Sequence, residues 1–179
     1  MSRTFYKYIV CLIVLLQGMV CSAQSIDEYQ MKAGYIGKFA NYIDWSGHSE
    51  DYNSEFFIIS IIGNSPIEQA LRDFYMNQKI NDKPVKILSI NDITLISKIN
   101  ILFIAPDNEQ NLDQIIRKTE FKPILTVSDA SGFSQYGVLI NFYIDNNTIR
   151  FEINKTMVEK ADLEMNSLLY RVAKITGNE

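Results

Sequence analysis

Two serines flank a carboxylate in Ser128-Asp129-Ala130-Ser131-Gly132, and here the chain comes closest to nucleophilic chemistry. A serine nucleophile needs a base to take its proton. The only histidine is His48, in a polar stretch with no thiol or second imidazole nearby. The loop suits two other roles. Asp129 and Ser131 can hydrogen-bond the backbone while Gly132 supplies a positive φ. Alternatively the loop binds a ligand, since it follows an apolar strand at the end where open α/β sheets bind small molecules. Ile62-Gly63-Asn64-Ser65 is a second such place, because amides opening a helix attract anions. One glycine with no Gly-Lys-Ser/Thr after it reads as a tight turn with Ser65 as cap. No carboxylate or imidazole spacing suits a metal ion, and no cofactor is expected.

Two further groups could recognise a partner. Arg150, Glu152 and Asn154 alternate with Phe151 and Ile153, so the polar three share one face of a strand. Arg150 and Glu152 are neighbours on that face and are expected to pair at the surface. Tyr35, Phe39, Tyr42 and Trp45 come from one short segment. Most should enter the core, while an exposed subset near Tyr42 and Trp45 would make a protein-binding patch.

The elements that position these residues follow from periodicity. Ser25 can cap a first helix with Asp27 and Glu28 in its first turn. Ile36, Phe39 and Ile43 fall on one face of it, with Tyr35 and Tyr42 beside them. His48 to Ser54 reads as a polar connector. Phe56 to Ile62 is apolar on both alternating faces, as a central parallel strand covered by helices on both sides must be. Pro66 suits the first turn of a helix running to about Asn77. Val85 to Ile90 and Ile99 to Ala105 are further strands, Asn108 to Lys118 a helix, and Ile124 to Val127 a strand. Val138 to Tyr143 and Thr148 to Ile153 flank a short Asp/Asn turn and predict an antiparallel hairpin. Thr156 to Ile175 is expected to be helical, with a break near Ala161-Asp162-Leu163. Alternating strands and helices predict an α/β three-layer sandwich, flavodoxin-like in outline, its sheet mostly parallel with an antiparallel C-terminal hairpin.

The start of the chain reads as a leader. Arg3 and Lys7 precede an apolar run from Tyr8 to Leu16, and Cys21-Ser22-Ala23 gives a small-x-small cleavage site after Ala23. The run is too short to span a bilayer. Residues 1–23 are therefore expected to be a cleaved secretory signal peptide, and residues 24–179 one exported domain. Both cysteines, Cys11 and Cys21, fall in the leader. Removing Arg3 and Lys7 from 17 basic residues leaves 15 against 21 acidic, a net charge of −6. That balance argues against nucleic acid as a partner.

Three segments carry a family resemblance. Lys32-Ala33-Gly34-Tyr35 through Phe39, Tyr42 and Trp45 is similar to an opening helix K-A-x-Y-x-x-x-F-x-x-Y-x-x-W. The stretch from Thr126-Val127-Ser128-Asp129 through Gly132-Phe133 to Arg150-Phe151-Glu152-Ile153-Asn154 resembles T-V-S-D-x-x-G-F, G-x-x-I-x-F and R-F-E-I-N. Ala161 to Leu169 resembles a closing helix A-x-L-x-I-S-S-x-L-L. In this order and spacing they resemble the YfiR family of bacterial periplasmic regulators. The resemblance implies a non-enzymatic protein that holds down the periplasmic sensing domain of an inner-membrane signalling protein, a diguanylate cyclase or a sensor kinase. It leaves open a homodimer and a small-molecule ligand, and with them a second reading as a periplasmic ligand-binding module. Because it covers Arg150 and Glu152 as well, the resemblance implies that they brace the Asp129 loop instead of pairing. The residues expected to bind partner or ligand are Tyr42, Trp45, Gly63, Asp129, Ser131, Phe133, Arg150 and Glu152.

Overall fold

Phe57–Ile62 (β2) lies near the middle of the sheet because it is apolar on both faces: Ile59 and Ile61 enter one core and Ile62 the other. The computed structural model describes residues 27–45 and 55–177. The expected leader with its cleavage point, the expected Ser25 cap and the expected polar connector from His48 to Ser54 lie outside the described residues. A helix over 27–41 (α1) opens the chain and leads into the short strand Ile43–Asp44 (β1). After β2 come Ile67–Tyr75 (α2), Lys79–Ile80 (β3) and Lys83–Ile90 (β4). Ile101–Ile104 (β5), Leu112–Thr119 (α3) and Leu125–Ser128 (β6) follow. The hairpin is Ile140–Asp145 (β7) and Thr148–Asn154 (β8).

The eight strands of the main sheet, with Lys174–Thr176 (β10) as the last in the chain, run β10-β8-β7-β6-β5-β2-β4-β3. Neighbours pair in parallel except β7 with β8 and β3 with β4. The central order β4-β2-β5-β6-β7 is that of a flavodoxin-like sheet, with its switch point between β2 and β5. One core lies between the sheet and α1 with α2, holding Ile36, Phe39, Ile59, Leu71, Phe103 and Phe142. The other lies under α3, with Leu102, Ile104, Leu112, Ile115 and Phe133. This is the predicted three-layer sandwich with its antiparallel C-terminal hairpin.

Local departures have local causes. Asn81 and Asp82 both take positive φ and close a two-residue hairpin, so a strand β3 precedes β4. Asn146 and Asn147 do the same between β7 and β8. Ile43 lies in β1 rather than on α1, though it remains buried. The stretch expected to be one broken helix from Thr156 to Ile175 is four elements. Lys155–Lys160 (α4) is capped by Asn154, and Glu164–Met165 (β9) pairs antiparallel with β1. Ser167–Val172 (α5) follows, and Lys174–Thr176 (β10) joins β8 in parallel. Apolar spacing suggests a helix there, but the open edge of β8 captures residues 174–176 as a strand.

α1 packs closely on α2. An added Cβ at Gly37 would lie 1.9 Å from the Tyr75 hydroxyl oxygen, so only glycine allows this approach. Tyr75 is buried and donates its hydroxyl to the Ala33 carbonyl at 3.1 Å. Burial pushes its pKa from 10 up to about 12, against a smaller opposing pull from the Gly37 backbone. The folded state therefore keeps a proton that the unfolded chain loses. That stabilisation is complete below pH 10 and disappears as pH rises toward 12. Urea titrations across this window should show stability falling steeply in the parent and less steeply in Tyr75→Phe. Parallel profiles for the two proteins would contradict the burial of Tyr75.

Candidate functional site

At the carboxyl end of β6, three residues fix the loop that the sequence marks for chemistry. The Ser128 hydroxyl donates to the Ile104 carbonyl at 2.7 Å and accepts from the Ala130 amide at 3.2 Å. It is fully buried and committed to backbone. Asn141 donates to the Ala130 carbonyl at 2.9 Å, tying the loop to β7. Gly132 takes φ +81° and opens a helical turn over Phe133–Tyr136. Ser131 is exposed, whereas Phe133 is buried in the core under α3. Loop-backbone bonding thus comes from Ser128 and Asn141 rather than from Asp129 and Ser131.

Asp129 turns instead toward α1. Its Oδ2 accepts from Lys32 Nζ at 2.7 Å, and the same ammonium meets Glu28 at 2.6 Å. The Lys32 and Asp129 side chains are only 4% and 6% exposed, so this is a buried ion pair. The Tyr29 ring lies 4.5 Å from the ammonium. Burial alone would lower the Lys32 pKa, but hydrogen bonds to Asp129 and Glu28 outweigh it and hold the ammonium above the usual lysine range. Burial, and then the Asp129 charge, raise the Tyr29 hydroxyl. The pair joins two of the resembling segments, separated by most of the chain. Lys32 carried a sequence signal: it falls on the apolar face of α1 in step with Ile36 and Phe39.

Glu152 and Asn154 hold the far side of the same loop. Glu152 accepts from Ser134 Oγ at 2.5 Å and from Lys174 Nζ at 3.2 Å. Asn154 donates to the Ser134 carbonyl at 2.6 Å and accepts from the Met157 amide at 3.0 Å. Both are buried, while Arg150 is exposed and pairs with Asp145 across the hairpin at 3.2 Å. Arg150 and Glu152 therefore do not pair with each other. Their shared face turns from solvent to core along β8.

Gly63 sits at the switch point with φ +92°. Asp107 Oδ2 accepts from the Asn64 amide at 3.0 Å, and an added Cβ at Gly63 would lie 2.1 Å from Asp107 Oδ1 and from Asn108 Nδ2. The chain's own carboxylate takes an amide that an anion would use. Gly63 and Asp129 thus meet different neighbours. Ser65 accepts from the Ile67 amide at 3.3 Å and helps open α2. Among the described residues no group of three or more His, Cys, Asp or Glu could hold a metal ion.

The third feature is a surface. β1 pairs with β9 through Ile43↔Met165 and Asp44↔Glu164, and the Asn166 amide donates to the Tyr42 carbonyl at 2.8 Å. This ladder brings the opening and closing segments together. Trp45 donates to the Ala40 carbonyl at 3.0 Å and meets Phe57 edge-on at 5.6 Å, so its ring packs on the core. Tyr42 stays 40% exposed, and α5 beside it leaves Leu168 47% and Val172 69% exposed. Leu168 and Val172 are one helical turn apart and share a face. Their exposure is set by α5 burying Leu169 instead.

The fold and these sites define an α/β domain whose polar groups lock loops and whose apolar side chains reach the surface. A family model described as YfiR/HmsC-like matches residues 29–174. The chain belongs to this family. Membership supports a periplasmic regulator role in general terms. A comparison with curated proteins found no match. Among the described residues no helix is long and apolar enough to cross a membrane.

Proposed function

We propose that this chain is a non-enzymatic periplasmic regulator. It binds and represses the periplasmic sensing domain of an inner-membrane signalling protein, a diguanylate cyclase or a sensor kinase. Family membership supports the class of role. The observation that carries the binding step is the exposed group of Tyr42, Leu168 and Val172, where tyrosine offers an amphipathic anchor of the kind enriched at binding hot spots. The Ser128 hydroxyl is held by the backbone, which favours binding over acyl transfer.

The test is a pull-down of residues 24–179 from membranes of the native organism, with mass spectrometry of what is retained. Recovery of a cyclase or kinase with a periplasmic domain is expected. Tyr42→Ala with Leu168→Glu should reduce recovery at least about tenfold, equivalent to 1.4 kcal/mol, with an unchanged circular dichroism spectrum. A blank with the parent protein would overturn the regulator reading. Full recovery with the variant would remove this surface from it.

A further inference from the structure

Over most of its length β4 is an edge strand. Its inner side pairs with β2 from Val85 to Ile90, but its outer side meets β3 only at Lys83 and Pro84. Ile80 and Lys83 flank the two-residue turn, so their backbone groups face each other. Alternation then turns the N–H and C=O groups of Val85, Ile87 and Ser89 outward. No described strand pairs with them. The Ile87 carbonyl accepts instead from exposed Arg72 at 3.3 Å, a long bond that a backbone donor could replace. An outward row of this kind is a template for an added strand.

The sheet face beside this edge is thinly covered. The crossover from β4 to β5 contains only the short turn Ile93–Leu95, and no full helix. Val85 and Ile87 pack toward α2, so Lys86, Leu88 and Ile90 point to the opposite face. Leu95 and Phe56 on that side are 54% and 37% exposed.

Charge selects the occupant. In a chain of net charge −4, β3 and β4 carry Lys79, Lys83 and Lys86, with Asp82 in the turn between them. By register Lys79 and Lys86 share the face of Leu88, while Lys83 and Arg72 lie on the α2 side. A second copy would bring the same lysines to this edge, and like charges across paired strands are destabilising. We propose that the outer edge of β4 accepts an extended segment of another protein in which acidic and apolar residues alternate. Its backbone pairs with Val85, Ile87 and Ser89, its apolar residues cover Leu88 and Leu95 on one face, and its carboxylates on the other face meet Arg72 and Lys83. This surface is separate from the Tyr42 surface and does not depend on the regulator reading.

The experiment uses residues 24–179 and three short synthetic peptides. One alternates Val with Glu, one alternates Val with Lys, and one is the Val/Glu peptide N-methylated on alternate amides. Amide exchange is followed residue by residue by NMR. The Val/Glu peptide should slow exchange at Val85, Ile87 and Ser89 by about tenfold or more and leave Leu88 unchanged. The other two should not. Arg72→Gln with Lys83→Glu should weaken binding by about tenfold, with an unchanged circular dichroism spectrum. No protection by the Val/Glu peptide, or equal protection by all three, would overturn the proposal. So would protected edge amides without peptide in a chain that sediments as a dimer, since a second copy would then own the edge.

Discussion

Lys32→Met should lower the unfolding free energy by about 3–5 kcal/mol, the usual cost of breaking a buried ion pair from one side. The substitution preserves much of the side-chain volume but removes the only cation facing Asp129 and Glu28 in the described ion pairs. Asp129 is almost fully buried, so its carboxylate is left with neither water nor a counter-charge. Glu28 is about one-third exposed and can turn outward, which softens its share of the loss. The diagnostic control is the double variant Lys32→Met with Asp129→Leu, which replaces the pair by apolar groups. It should recover most of the lost stability, because an apolar pair of similar size is often as stable as an ion pair. Urea unfolding of the three proteins decides the matter. A cost below about 1 kcal/mol for Lys32→Met would be that of a surface pair and would refute the buried latch.

Phe39→Ala should cost about 3–5 kcal/mol, the range for removing a large aromatic from a core. Phe39 is 1% exposed and is where α1 meets the hairpin. Its ring lies 4.8 Å from that of Phe151 on β8, 5.5 Å from Phe142 on β7 and 6.1 Å from Tyr35. Truncation removes three aromatic contacts and leaves a void that backbone elements cannot collapse to fill. Phe39→Leu keeps most of the volume and should cost clearly less. Denaturation midpoints with unchanged m-values would report this directly. Equal stability of Phe39→Ala and the parent would mean that α1 does not pack on the hairpin. Because α1 also supplies Lys32 and leads into β1, its docking positions both the Asp129 loop and the Tyr42 surface.

Much of the sheet was legible because its signals are local. An apolar run on both faces announces β2, and Asp145-Asn146-Asn147 between two apolar runs announces the hairpin. The Lys32 and Asp129 segments were readable as family motifs, yet nothing in either says that they touch. Glu152 illustrates the opposite difficulty. Period two correctly groups it with Arg150 and Asn154 on one face of β8. Whether that face is wet or dry depends on Ser134, which a separate loop folds over it.

By itself the sequence determined the secondary structure with a strong period, the layer architecture that follows from double-sided strands, and the family. The tertiary structure alone decided the short strands β1, β9 and β10. Two or three residues carry no measurable period, and such strands exist only because a partner segment presents matching backbone groups. It also decided which polar residues became structural. Burial is a property of the assembled layers, so Lys32 and Glu152 became buried, each bonded to its own partners, while Arg150, of similar character in the sequence, stayed in water. The exposed group of Tyr42, Leu168 and Val172 arose in the same way. Tyr42 and the Leu168–Val172 pair come from opposite ends of the chain, and the β1–β9 ladder joins the segments that carry them.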